Sequence, residues 1–146
     1  MMFLAATVAA TLFVTNERAG TVSAIDPATK KTIVEVKVGA RARGIALSPD
    51  GNRLFVAVSH FRGQPSNTPD GAAALDPRSL RIVKRYKAGT DPEGIVMSPD
   101  GKRFAVSNED AGTASIVDVA SGRTLAAVVT GTEPEGVAAS PDGRWI

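Results

Sequence analysis

GIALSPDGNRLFVAV, Gly44–Val58, decides the fold because it recurs: GIVMSPDGKRFAVSN follows at Gly94–Asn108, and GVAASPDGRWI opens a third copy at Gly136–Ile146. The Ser-Pro-Asp-Gly turns begin at Ser48, Ser98 and Ser140, spaced by 50 and then 42 residues. LFVTNERAGTVSAID (Leu12–Asp26) likewise matches RFAVSNEDAGTASIVD (Arg103–Asp118). Flanks that recur in the same order mark a tandem repeat, and a period in the low forties built from short strands suggests propeller blades. The middle unit is longer by about eight residues through SHFRGQPSNTPDG (Ser59–Gly71), read as a loop insertion.

Each unit reads as four strands, because short runs of β-branched or apolar residues alternate with Gly, Pro, Asp and Asn clusters and no helical period competes. The inner strands, Ile45–Leu47, Ile95–Met97 and Val137–Ala139, are apolar on both faces, as burial between sheets requires. The outer strands, Ile33–Val38 and Ile82–Lys87, carry Glu35, Lys37, Lys84, Arg85 and Lys87, charges that suit a sheet edge. In the turns, proline presets φ, aspartate accepts from the backbone ahead and glycine takes the left-handed conformation. Asp50, Asp100 and Asp142, and equally Asp26, Asp76 and Asp118 after the third strands, are therefore expected to be turn acceptors and not catalytic acids.

On these residues, VTN or VSN after the second strand, a Gly-Thr-Val-Ser-hydrophobic-Asp strand, and GxxPxG before a strand ending in SPDG, the chain resembles the YVTN family of β-propeller repeats from Leu12 onward. Within the family it is most similar to periplasmic propellers associated with quinoprotein (PQQ-dependent) alcohol catabolism. The resemblance implies a ring of about seven blades, usually exported and used as a binding surface. At about 40 to 45 residues per blade, 146 residues hold about three blades, so the fold class expected is all-β, a partial propeller of four-stranded antiparallel blades. The expected parts are residues 11–39, 40–89, 90–131 and 132–146 of one repeat region, 11–146, with a near-native N-terminus and a truncated C-terminus. An isolated chain of this kind leaves apolar end faces open and is expected to self-associate.

Residues 1–10, MMFLAATVAA, read as the remnant of a secretory signal peptide, although no Lys or Arg precedes the apolar run. A periplasmic or extracellular location follows from that reading. The formal charge of +2, with basic residues scattered and no aromatic interleaving, argues against nucleic-acid binding. The absence of cysteine excludes disulfides, thiolate metal sites and cysteine nucleophiles.

In an up-and-down blade the loops before the inner strand and those joining the second and third strands emerge on one face. That face collects Arg41, Arg43, Asp91, Glu93, Glu133 and Glu135 from one loop set, and Asn16, Glu17, His60, Arg62, Asn108, Glu109 and Asp110 from the other. Arg41 and Arg43 stand where the neighbouring units carry acids. They could meet an anionic ligand, or they could form interblade ion pairs such as Arg43 with Glu93, worth up to about 1 kcal/mol if exposed. His60 is the one histidine and has no second histidine or cysteine to complete a metal shell. No GxSxG elbow, phosphate-binding Gly loop or HExxH is present. The expected function is an exported binding or scaffold module, without cofactor or metal, that meets a protein partner such as a dehydrogenase or cytochrome. The candidate contacts are Arg41, Arg43, His60, Arg62, Asp91, Glu93, Asn108, Glu109, Glu133 and Glu135. The alternative is a lactonase-like propeller enzyme with a site at the channel mouth, and a third is a cell-surface structural array.

Overall fold

The computed structural model of the protein describes residues 10–63 and 67–146. The signal-like stretch lies outside the described residues except for Ala10, as do Gln64, Pro65 and Ser66 of the insertion. Three antiparallel sheets follow one another along the chain: β1 (Leu12–Asn16), β2 (Thr21–Asp26) and β3 (Lys31–Lys37); then β4 (Arg41–Leu47), β5 (Leu54–Ser59), β6 (Gly71–Leu75) and β7 (Ile82–Tyr86); then β8 (Pro92–Met97), β9 (Arg103–Asn108), β10 (Thr113–Asp118) and β11 (Thr124–Val129). Spatial order equals chain order in every sheet. The architecture is that of a partial β-propeller. Among the described residues no helix is long and apolar enough to cross a membrane.

The blades stack face to face through two apolar layers. Phe13, Val22, Ala24 and Val36 of the first blade meet Leu54, Val56, Val58, Ala73 and Leu75 of the second. The second blade's other face, with Phe55, Ala57, Ala72, Ala74 and Tyr86, meets Phe104, Val106 and Val117 of the third. Strand alternation sends neighbouring residues of β5 to opposite layers, which is why all six of its residues are buried. At the centre of the second layer Phe55, Tyr86 and Phe104 form an aromatic trio, with Tyr86 and Phe104 edge to face at 5.1 Å. The outermost strand β11 is exposed throughout.

The inner strands touch backbone to backbone, and glycine permits it. A Cβ on Gly44 would stand 2.5 Å from the Glu93 carbonyl oxygen, and one on Gly94 would stand 2.6 Å from that of Glu135. A register shift accompanies both sites, between Ala42 and Ile45 on β4 and between Pro92 and Ile95 on β8. Such bulges re-aim a strand where another backbone comes close. The inner strands are longer than expected, extending back to Arg41 and Pro92. The third, Val137–Ala139, is not a strand at all. Among the described residues no strand pairs with it.

The turns are built as their sequence requires. Ser48 Oγ donates to Asp50 Oδ1 at 2.6 Å, the Asn52 amide donates to the same oxygen, and the Arg53 amide donates to Ser48 Oγ. Gly51 holds φ at 69°. Ser98–Asp100 and Ser140–Asp142 repeat the bond at 2.6 Å. Asp26, Asp76 and Asp118 accept from Ala28, from Arg78 and Ser79, and from Ser121, as expected of turn acceptors.

The asparagine of the VTN and VSN motifs ties the second strand to the third: Asn16 Nδ2 donates to Thr21 and Ser23, and Asn108 Nδ2 to Thr113 and Ser115. In the middle blade the pairing that would carry this bond is Val58 with Gly71, and Ala73 stands where the serine would be. Donor and acceptors are replaced together, a change that leaves no buried polar group orphaned.

Two outcomes test this account. Gly44→Ala is expected to destabilise the chain by about 1–3 kcal/mol through overpacking, whereas Gly136→Ala, in open space, is expected to be near neutral in urea unfolding. The Ser48 hydroxyl and the Asn52 groups lower the Asp50 carboxyl from its ordinary 3.8 to about 2. A depressed carboxyl contributes stability that is complete above its unfolded value and is lost as pH falls toward the folded one. Thermal midpoints of the wild type and of Asp50→Asn are therefore expected to differ at neutral pH and to converge between about pH 4 and pH 2.

Candidate functional site at the channel mouth

The loops before β4 and β8 and the loops after β1, β5 and β9 converge at one end of the blades, and their charges interlock. Arg41 reaches from the second blade to both neighbours, pairing with Glu17 at 2.7 Å and with Asp91 at 3.0 Å. Arg43 contacts Glu93 as an ion pair, and its Nη1 lies 3.7 Å from Asp91 and 3.5 Å from Glu109. The Arg41 bond holds the Glu17 carboxyl below the usual carboxylate range. Phe61 at the head of the insertion lies under the Arg41 guanidinium at 5.5 Å, a cation–π contact.

Of the sequence candidates, Arg41, Arg43, Asp91, Glu93 and Glu109 thus form one cluster, with Glu17 as a sixth member. The interblade pair of Arg43 with Glu93 is present and largely withdrawn from solvent, the two side chains being 16% and 9% exposed. The physical reason is the approach of the inner strands at Gly44, which carries Glu93 under the Arg43 head group. The arginines are therefore not free to receive an anion, since both guanidiniums face carboxylates.

Asp91, Glu93 and Glu109 can each bring an oxygen within 4.8 Å of the others, a spacing that a cation could bridge. Arg43 touches all three and supplies the positive charge that such a trio requires.

The remaining candidates are dispersed. Arg62 pairs with Asp110 at 3.1 Å and, with Asp91, Glu109 and Glu133, lines an open cleft of about 530 Å³ floored by Gly112 and Gly131. His60 points to Asp70, Nδ1 to Oδ1 at 2.5 Å. Asn108 is fully buried, its Nδ2 donating to Ser115 inside the blade while its Oδ1 has no hydrogen-bond partner, and it does not reach the mouth. Glu135 contributes a backbone oxygen, which accepts from Ser107 Oγ at 2.8 Å.

Asp70 is the residue that the sequence reading passed over. It accepts from the His60 amide with Oδ1 and from the Asp91 amide with Oδ2, so it pins the base of the insertion to the mouth. The φ of Asp91, 43°, lies in the left-handed region ahead of a proline, a combination that costs about 1–3 kcal/mol, and the bond from its amide to Asp70 helps to hold it there. The signal was present in the repeat: the third strand is preceded by Ala19-Gly20 and Ala111-Gly112 in two units and by Pro69-Asp70 in the middle one, so that Asp70 stands where the others have glycine.

No family model matches the chain, and no curated protein matches it. Solved structures do. Hydrazine synthase of Kuenenia stuttgartiensis is similar at 28% identity and a TM-score of 0.78, over 92% of this chain and 37% of that one. This is a β-propeller chain. A putative 6-phosphogluconolactonase of Bacteroides fragilis is similar at 24% identity and a TM-score of 0.68, over 85% of this chain and 37% of that one. The dihydro-heme d1 dehydrogenase NirN, in complex with DHE, is similar at 20% identity and a TM-score of 0.63, over 92% of this chain and 26% of that one. The propeller chain described here spans well under half the length of each.

The buried pair yields a double-mutant test. Arg43→Met leaves the Glu93 carboxylate buried without its countercharge and is expected to cost about 3–5 kcal/mol. The Arg43→Met, Glu93→Met double variant is expected to recover most of that loss in chemical denaturation, since the second change removes the stranded charge.

Proposed function

We propose that this chain forms blades of an exported binding module of the YVTN repeat type, presenting its channel-mouth face to a protein partner in a quinoprotein dehydrogenase system. The observation that carries the binding reading is the interlocked mouth. Its central carboxylates Asp91, Glu93 and Glu109 are committed to arginines, and Glu17 is held ionised by Arg41. A rigid, charged surface beside an open cleft is what a docking partner requires.

Four carboxylates face two guanidiniums at the centre, and Asp110 and Glu133 add to the acid side around the cleft. That surplus favours a partner with a basic patch, such as a basic c-type cytochrome, over the anionic ligand that Arg41 and Arg43 suggested from sequence. The periplasmic or extracellular location belongs to the same reading and rests on residues 1–10.

Calorimetric titration of the chain with a basic and with an acidic c-type cytochrome tests it. Saturable binding of the basic protein is expected, weakening as salt rises and weakening further in the Asp110→Lys, Glu133→Lys variant, with none to the acidic one. Equal binding of both, or of neither, overturns the reading. Turnover of 6-phosphogluconolactone by the chain would replace it with the lactonase-like alternative.

A further inference from the structure

The end of the blades opposite the mouth repeats one arrangement in every sheet. Each outer strand starts there, and each carries a bulge close to its start. Ala24 pairs with Val34 and Ile25 with Thr32, so Ile33 is left over. Val83 is skipped in the same way between Lys84 and Ile82, and Leu125 between Ala126 and Thr124. A bulge needs an extra residue on one strand and sets no requirement on its side chain. Here the extra residue is a large aliphatic each time, and each is exposed: Ile33 61%, Val83 41% and Leu125 57%. Val83 stands in the blade that has a neighbour on either side, so its exposure belongs to the position and not to an open face.

A cation stands two residues ahead of each, at Lys31, Arg81 and Arg123, all exposed. The two sets of turns at this end, residues 26–31, 76–81 and 118–123 with residues 48–53, 98–103 and 140–145, carry nine basic side chains against six acids. The six acids are the turn aspartates, which accept bonds from their own turns. Among the described residues the one ion pair at this end joins Arg144 to Asp142, so Lys31, Arg81 and Arg123 keep their charge for something outside. The chain is thus acidic at the mouth and basic at the far end, where each blade offers one aliphatic and one cation along its outer edge.

We propose that this end docks on an anionic lipid bilayer, with Ile33, Val83 and Leu125 entering the headgroup boundary and Lys31, Arg81 and Arg123 meeting the lipid phosphates. Interfacial binding of this kind combines shallow apolar burial with attraction to anionic headgroups. The spacing favours lipid over an acidic protein. A protein interface needs one contiguous desolvated centre, whereas a fluid surface meets separate contacts one blade at a time. Docked this way, the chain turns its mouth away from the membrane. Nothing in this inference depends on what binds at the mouth.

Co-sedimentation with vesicles tests it. The chain is expected to bind vesicles of phosphatidylcholine and phosphatidylglycerol in equal parts, to be released as salt rises, and not to bind phosphatidylcholine alone. Lys31→Gln, Arg81→Gln and Arg123→Gln together are expected to lower partitioning roughly a hundredfold, given the attraction of a basic side chain to an anionic surface. Ile33→Ser, Val83→Ser and Leu125→Ser together are expected to lower it on the order of tenfold. All six side chains are exposed, and circular dichroism checks that each variant keeps the wild-type fold. Arg18→Gln with Lys87→Gln, which removes exposed cations elsewhere, is expected to leave binding unchanged. No binding to the mixed vesicles, equal binding to phosphatidylcholine alone, indifference to both triple variants, or an equal loss in the Arg18 and Lys87 variant overturns the proposal.

Discussion

Everything at the channel mouth depends on how closely the inner strands approach. Gly44 lies against the backbone of Glu93 and Ile95, and Gly94 against that of Glu135 and Val137. A side chain at either glycine would hold the strands apart. Their contact sets the wedge angle between blades, and with it which side chains of adjacent blades come within reach. Arg43 and Glu93 are fifty positions apart in the chain, yet they pair because their neighbours, Gly44 and Gly94, bring the two backbones together. A buried ion pair of this kind contributes little net stability, since desolvation offsets the Coulomb gain, but it penalises any arrangement that separates the partners. The strand contact and the charge cluster thus select the same geometry.

The repeat made the blades legible before any coordinates, for a physical reason. Turn chemistry is local: Ser48, Pro49, Asp50 and Gly51 make their bonds among themselves and with Asn52 and Arg53, so the sequence states them directly. Strand alternation is nearly as local. Depth is not. Asn108 reads as a loop-end polar residue, yet it is wholly buried because Gly89 of the preceding blade comes up against its amide. The third inner strand shows the same limit from the other side, since Val137–Ala139 has the right residues but a strand exists only when something pairs with it.

The candidate site was half legible. The loops that bear it follow from the up-and-down order, so its membership was readable, but its charge logic was not. From sequence, Arg41 and Arg43 look like two free cations among acids. Their exposures of 15% and 16% come from packing against both neighbouring blades, which no single repeat unit encodes. Asp70 was missed for a related reason. Its value lies in reaching the amide of Asp91, twenty-one residues further on, and only the break from Ala-Gly to Pro-Asp ahead of the third strand marked it.

The insertion is therefore best understood as part of the mouth and not as an ornament on it. Phe61 supports the Arg41 head group, Arg62 binds Asp110 across the cleft, and Asp70 holds Asp91 in a conformation that a residue before proline resists. Each contact joins the middle blade to residues of the third or to the arginine that spans all three. With Phe61, Arg62 and Asp70 each held by a contact at the mouth, what the mouth recognises meets these side chains already placed. Such preorganisation lowers the ordering cost of association.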